Sequence, residues 1–154
     1  MMRKIFPAML AAMLLASPLA AQADDGNRLD RLSAHFYYKD TGQLSDNLLE
    51  REQFAAWNTI IGDGEKGPAD DVLVVATITG PKEDYIYDTL ELWVADEKGK
   101  IIRSRRFDGI LLTDAGSVSS PLWLPDATCA GELTIHARFR GTEQSAKLAL
   151  YCGE

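Results

Sequence analysis

The strongest constraint on the fold is a strict alternation of apolar and polar residues near the C-terminal end of the sequence. From Leu133 to Phe139 every second residue is apolar, and a second alternating run occupies residues 146–151. Residues two apart lie on the same face of a β-strand, so each run predicts a strand with one buried face. The glycine-containing segment 141–144 between the two runs predicts the turn of a β-hairpin.

Comparable patterns occur further upstream, and together they predict an all-β chain. Residues 24–30 are polar and expected to be frayed, and residues 44–56 fit either an irregular stretch or a short helix. The other predicted strands are residues 32–38, 57–61, 72–79, 89–95, 100–107, 110–113 and 117–124. About seven to nine short antiparallel strands between turn signals are typical of a β-sandwich. We therefore expect an immunoglobulin- or fibronectin III-like architecture, with a small β-barrel as the alternative.

The N-terminal 23 residues have the order of a secretory signal peptide. Arg3 and Lys4 precede the mostly apolar run Ile5–Leu19, and Ala21-Gln22-Ala23 matches the small-residue cleavage pattern. A membrane anchor is the alternative, but the run is shorter than the ~20 apolar residues that span a bilayer. We therefore expect a signal peptide over residues 1–23 and a single β-sandwich domain over residues 24–154. The mature protein would be periplasmic or secreted, without stable membrane insertion.

The charge of the predicted mature domain excludes one class of partner. The whole chain has 16 Lys and Arg against 23 Asp and Glu. Removing Arg3 and Lys4 leaves 14 against 23, a net charge of −9. An acidic domain is repelled by phosphate backbones, so we do not expect it to bind nucleic acid.

Two cysteines, Cys129 and Cys152, remain in the predicted mature domain, with 22 residues between them. An exported chain enters an oxidising compartment, where a pair of cysteines usually forms a disulfide. A metal or redox pair is the alternative, but there is no C-x-x-C motif and no neighbouring pair of histidines. Placing residue 140 opposite residue 145 in the C-terminal hairpin brings Cys152 near Leu133. The predicted disulfide would then join the entry and exit of this hairpin.

No catalytic signature is evident in the mature sequence. It contains no G-x-S-x-G motif. His35 and His136 occur in alternating strands without an orienting pattern, and the acidic pairs fall in predicted turns. We therefore favour a function without catalysis, and we expect no metal or cofactor. We interpret the acidic segment at residues 62–71, which contains Asp63 and Glu65, as an ordinary loop. Calcium binding is the alternative, but the spacing of the acidic residues does not match the EF-hand pattern.

The candidate binding residues are an aromatic residue, two arginines and two acidic loop residues. Trp93 is predicted to lie opposite the apolar face of its strand, where exposed aromatic residues favour a binding surface. Arg103 and Arg105 share one face of a strand, where they either protect a sheet edge or dock an acidic partner. Asp63 and Glu65 belong to the 62–71 loop, which would be the projecting contact loop if the protein is an inhibitor.

From these features we expect an exported, non-enzymatic binding or assembly module of the bacterial envelope. Its partner would be a protein or a glycan of the cell envelope. The alternative is a secreted or periplasmic inhibitor, or a small hydrolase, acting on envelope substrates.

Overall fold

The computed structural model describes residues 25–50, 69, 71–127 and 129–151. Within these residues, eight antiparallel strands form two four-stranded sheets, with the orders β2-β1-β3-β6 and β5-β4-β7-β8. The strands are β1 (Arg28–Tyr38), β2 (Gln43–Leu44), β3 (Asp71–Thr79), β4 (Tyr85–Ala95), β5 (Ile101–Leu111), β6 (Ser117–Leu124), β7 (Gly131–Phe139) and β8 (Thr142–Leu150), with one 3₁₀ turn at Leu48–Glu50. We call the two sheets the β3 sheet and the β4 sheet. The predicted all-β sandwich is confirmed.

The order of the strands is that of an immunoglobulin-type sandwich. In the usual lettering, β1, β3 and β6 correspond to strands A, B and E of one sheet. Strands β5, β4, β7 and β8 correspond to C′, C, F and G of the other. The chain crosses between the sheets after β3, after β5 and after β6. The predicted immunoglobulin- or fibronectin III-like architecture therefore agrees with the observed topology.

The core lies between the sheets and is built from the inward residues of the alternating strands. In β3, Val72, Val74, Ala76 and Ile78 have no exposed surface. Strands β4 and β7 contribute inward-facing aliphatic residues in the same way, and Phe36 and Phe139 fill the space between the sheets. Removal of this apolar surface from water is the main force that holds the layers together.

The first strand is longer than predicted. Residues 28–30 were expected to be frayed, but Arg28 pairs with Thr79 and Leu29 pairs with Ile78. The register shifts between Leu29 and Arg31, so the apolar alternation changes phase at this bulge. That phase change conceals the beginning of the strand, because Leu29 is buried but is out of step with the later inward residues.

The predicted strands 100–107 and 110–113 are one continuous strand, β5, over most of their length. Asp108-Gly109 resembles a turn, but here it forms an irregularity in the pairing between β4 and β5. Gly109 has φ +79°, a conformation that favours glycine. A Cβ atom at this position would lie 2.2 Å from the hydroxyl oxygen of Tyr85. The glycine therefore allows the Tyr85 side chain to cross the strand.

The C-terminal hairpin has a tighter turn than predicted. Phe139 pairs with Thr142, so Arg140 and Gly141 alone connect the strands, with φ values of 50° and 76°. Two consecutive positive φ values are characteristic of a type I′ turn. The predicted turn at residues 141–144 is therefore wrong, as is the pairing of residue 140 with residue 145. Leu133 pairs with Leu148.

Several predictions fall on residues that the structure does not describe. These are the signal peptide at residues 1–23, the strand at 57–61, most of the acidic loop at 62–71, and Cys152. Within the described ranges, no helix has the length and hydropathy needed to span a membrane.

Candidate functional site

The outer face of the β4 sheet carries a row of side chains centred on Trp93. Ser104 of β5, Trp93 of β4, His136 of β7 and Ser145 of β8 are direct cross-strand neighbours. Trp93 points outward because its neighbours in β4 are buried in the core. The structure therefore places Trp93 on the face that the alternation predicts.

One face of the Trp93 indole is covered by the His136 imidazole. The ring centroids are 4.9 Å apart and the interplanar angle is 2°. Nδ1 of His136 lies 3.1 Å from Oε1 of Glu143, a contact that orients the imidazole. On the β5 side, the cross-strand neighbour of Trp93 is the small residue Ser104.

A shallow depression lies on the β5 side of Trp93 and has a volume of about 490 Å³. Ser104 leaves space between the indole and the side chains further along β5. The other residues that line this depression include two aliphatic residues, three arginines and one glutamate: Leu92, Ile101, Arg105, Arg106, Arg138 and Glu91. An aromatic face bordered by hydrogen-bond donors and an acceptor suits a ligand that has one flat or apolar face and polar groups at its rim.

A second row on this face carries charges of alternating sign. Arg106, Glu91, Arg138 and Glu143 are direct neighbours across β5, β4, β7 and β8. Glu91 lies 3.8 Å from Arg106 and 3.6 Å from Arg138, and Arg138 lies 2.8 Å from Glu143. Opposite charges directly across neighbouring strands stabilise the sheet, and here they also fix the positions of both arginines.

The hydrogen bonds of this row favour the ionised carboxylates. The pKa of Glu143 is lowered, first by its hydrogen bond from Arg138 and then by its contact with His136. The pKa of Asp108 is lowered by its hydrogen bonds from Arg106 and Thr89. At neutral pH, Arg138 is therefore paired with the ionised carboxylate of Glu143, and Arg106 with that of Asp108. Arg138 also lies over the Trp93 ring, with its guanidinium carbon 5.2 Å from the centroid.

Two tyrosines occupy the other end of β4 on the same outer face. Tyr85 and Tyr87 are 49% and 88% exposed, and their rings meet edge to face with centroids 4.8 Å apart. Leu111, the partner of Tyr85 in β5, is 61% exposed. The face thus has aromatic residues at both ends and charged residues between them.

The two predicted arginines lie on the opposite side of the sheet from Trp93. Arg103 and Arg105 pair with the inward-facing residues Val94 and Leu92. They therefore face the seam where the edges of β5 and β6 meet. Arg105 donates a hydrogen bond to the carbonyl oxygen of Pro121 at 3.1 Å.

The predicted binding residues therefore divide between two surfaces. Arg105 borders both of them, because it also lines the depression beside Trp93. Asp63 and Glu65 lie outside the described residues.

The charged row contains residues that the sequence analysis did not consider as binding residues. Glu91, Arg138 and Glu143 belong to alternating strands whose polar side was treated as ordinary solvent-exposed surface. The alternation shows that they face outward, but only the register between strands shows that they form one row with Arg106. A correct assignment of the Arg140-Gly141 turn would have aligned Arg138 with Glu143.

Two other candidate side chains, Trp123 and His35, lie on the other sheet. Trp123 lies on the outer face of the β3 sheet, where its ring meets that of Tyr37 edge to face at 5.0 Å. His35 lies on that same face and contacts the carbonyl oxygen of Ser45 at 2.9 Å. Within the described part of the chain, no group of three or more His, Cys, Asp or Glu residues is arranged to hold a metal ion.

Comparison with known proteins adds little beyond the fold. No protein-family model matches the sequence, and no curated protein matches it. Among solved structures, the chain is similar to part of a β-glucuronidase from Bifidobacterium dentium, determined in complex with coumarin-3-O-glucuronide. The TM-score is 0.41 and the sequence identity is 13%. The match covers 81% of this chain and 18% of the β-glucuronidase chain, and it carries no information about activity.

Proposed function

We propose that this chain is an exported, non-enzymatic binding or assembly module of the bacterial envelope. The outer face of the β4 sheet is its recognition surface, and a protein or a glycan is its partner. The observation that carries this proposal is the arrangement of Trp93, which stacks against His136 and lines an open depression.

The composition of this surface supports a binding function. Tryptophan, tyrosine and arginine are the residue types that contribute most to binding energy at protein interfaces. Trp93, Tyr85, Tyr87, Arg106 and Arg138 share one face of a single sheet. Cross-strand contacts hold Trp93 and Arg138 in place before any ligand arrives, so less conformational entropy is lost on binding.

The positions of the histidines also favour binding over catalysis. Catalysis by an acid–base pair needs titratable groups that converge on one reacting atom. His35 and His136 lie on the outer faces of different sheets, so the body of the sandwich separates them. His136 is engaged by Trp93 and Glu143, which gives it a positioning role in the binding surface.

The observed hairpin register supports the disulfide and, through it, export. Gly131 pairs with Leu150 at the end of the described hairpin, and in the sequence Cys129 precedes Gly131 by two positions and Cys152 follows Leu150 by two positions. The described residues include no free cysteine. A disulfide between Cys129 and Cys152 fits an oxidising compartment. Together with the signal-peptide pattern of residues 1–23, it supports a periplasmic or secreted location.

The proposal is tested with protein recovered from the periplasm after expression of the full chain. Wild type, Trp93→Ala and Tyr37→Ala are compared on a glycan array and on immobilised envelope proteins. Tyr37→Ala is the matched control, because it removes an aromatic side chain from the outer face of the other sheet. We expect Trp93→Ala to lose at least tenfold in affinity for a ligand that Tyr37→Ala retains. Equal retention or equal loss in both folded variants would show that the Trp93 face is not the recognition surface.

A further inference from the structure

Strand β5 forms an exposed edge of the β4 sheet. Within the described residues it pairs with β4 alone, so the main-chain groups along its other edge have no strand partner. Ile101 and Ile102 are 56% and 45% exposed at the beginning of this edge. An open edge of this kind can accept a further strand from another chain.

Two depressions lie side by side along the seam between β5 and β6. The first has a volume of about 470 Å³ and lies between the segment 101–105 of β5 and Leu122-Trp123 of β6. The second has a volume of about 220 Å³ and is lined by β5 and by the residues from Leu124 to Ala127. Ile102 and Arg103 border both, so the depressions form one interrupted groove beneath the edge. Alternate side chains of an added strand would point into such a groove.

The groove is positively charged at its centre, although the whole chain has a net charge of −7. Arg103 and Arg105 both face it. Arg105 is anchored by the carbonyl oxygen of Pro121. Within the described residues Arg103 forms no ion pair, so its donors are available to a carboxylate. Asp126 borders the second depression, at the far end of the groove.

We propose that the β5 edge takes up an extended acidic segment of a partner protein as an added strand. Main-chain hydrogen bonds to β5 supply the affinity, and carboxylates that face the seam pair with Arg103 and Arg105. This surface adjoins the depression beside Trp93 and shares Arg105 with it, but it does not include Trp93.

A competing explanation is that Arg103 and Arg105 protect the edge. Inward-pointing charges on an edge strand are one means by which proteins prevent unwanted strand pairing. The two explanations predict opposite results. If the arginines only protect the edge, the wild-type protein binds no added strand, and removing the arginines promotes self-association. If they recognise a strand, removing them abolishes binding.

The test is an NMR titration of the ¹⁵N-labelled mature protein with a capped decapeptide of alternating valine and glutamate. We expect shift changes centred on residues 101–107 and 122–124. The same changes should be absent with an alternating valine–lysine decapeptide and with a glutamate peptide methylated at alternate backbone nitrogens. Trp93→Ala should bind the peptide as wild type does, which separates this proposal from the proposed function of the Trp93 face.

Charge-reversal variants complete the test. Arg103→Glu with Arg105→Glu should weaken peptide binding at least tenfold, and Arg103→Gln alone should weaken it less. Arg28→Glu with Arg31→Glu, which changes the charge equally on β1, is the matched control and should bind as wild type does. Absence of shifts in β5, equal weakening in the control, or self-association of the β5 variants without wild-type binding would each overturn the proposal.

Discussion

The imidazole of His136 lies parallel to the indole of Trp93, with an interplanar angle of 2° and a centroid separation of 4.9 Å. The two residues come from neighbouring strands, β7 and β4, and are direct cross-strand partners. Glu143 of β8 in turn contacts His136, so three strands together determine the orientation of Trp93. The proposed recognition surface is therefore a property of the sheet register and not of a flexible loop.

This stacking predicts a measurable coupling between the two side chains. Aromatic pairs in such contact contribute about 0.5–1.5 kcal/mol beyond their buried area. A double-mutant cycle of Trp93→Ala and His136→Ala, measured by urea unfolding, should give a coupling free energy in this range. The cycle of Trp123→Ala and His136→Ala is the control and should give a coupling near zero. Additive effects in the first cycle would show that the stacking does not stabilise the protein.

Arg140 joins the N-terminal end of the described chain to the β4 sheet. It donates hydrogen bonds to Asp25 and to Asp88, the latter at 2.5 Å. The hydrogen bond from Arg140 is the main cause of the lowered pKa of Asp25. A carboxylate with a lowered folded-state pKa stabilises the fold above its unfolded pKa of about 3.9, and this contribution declines as the pH falls below that value.

The replacement Asp25→Asn should therefore lower the melting temperature at pH 7 and have a diminishing effect as the pH falls below about 4. Thermal unfolding followed by circular dichroism between pH 2.5 and pH 7 measures this difference. Asp30→Asn is the control, since Asp30 is an exposed residue of the same segment that forms no ion pair within the described residues. A melting-temperature difference for Asp25→Asn that does not change with pH would contradict the prediction.

The alternation of apolar residues was sufficient to predict the fold class. In Val72–Thr79 and Leu133–Phe139 the apolar residue at every second position is buried as the pattern predicts, because hydrophobic periodicity directly reports which face of a strand meets the core. The same pattern placed Trp93 on the outer face. These predictions depend only on local sequence and on the period of a β-strand.

The errors arose where the backbone departs from regular pairing. A bulge near Leu29 concealed the beginning of β1, and Gly109 resembled a turn although it lies within a strand. At Arg140 an arginine adopts a positive φ that more often belongs to asparagine or glycine, and this displaced the predicted hairpin register. The charged row between Arg106 and Glu143 could not be predicted without that register, because it is formed by residues of four different strands.

Gly109 should be intolerant of a side chain. Its positive φ disfavours any L-residue by roughly 1–2 kcal/mol, and a Cβ atom would also overlap the Tyr85 hydroxyl. Urea unfolding should therefore show a larger loss for Gly109→Ala than for Gly99→Ala. Gly99 has a similar φ of 76°, but nothing within 4 Å of the position of its Cβ. The additional change Tyr85→Ala should remove the excess loss; if it does not, the clash is not its cause.

The register of the C-terminal hairpin leads to a final prediction about the cysteines. A disulfide between Cys129 and Cys152 would close a loop of about 24 residues and stabilise the fold by about 3 kcal/mol in the chain-entropy model. Intact mass after alkylation without reduction should show no modified cysteine in protein recovered from the periplasm. Urea unfolding of the variant Cys129→Ser with Cys152→Ser should show a loss of about 3 kcal/mol relative to the oxidised wild type, and little loss relative to the reduced wild type. Two alkylated thiols in the unreduced protein, or equal stability of the oxidised and reduced forms, would show that no stabilising bridge exists.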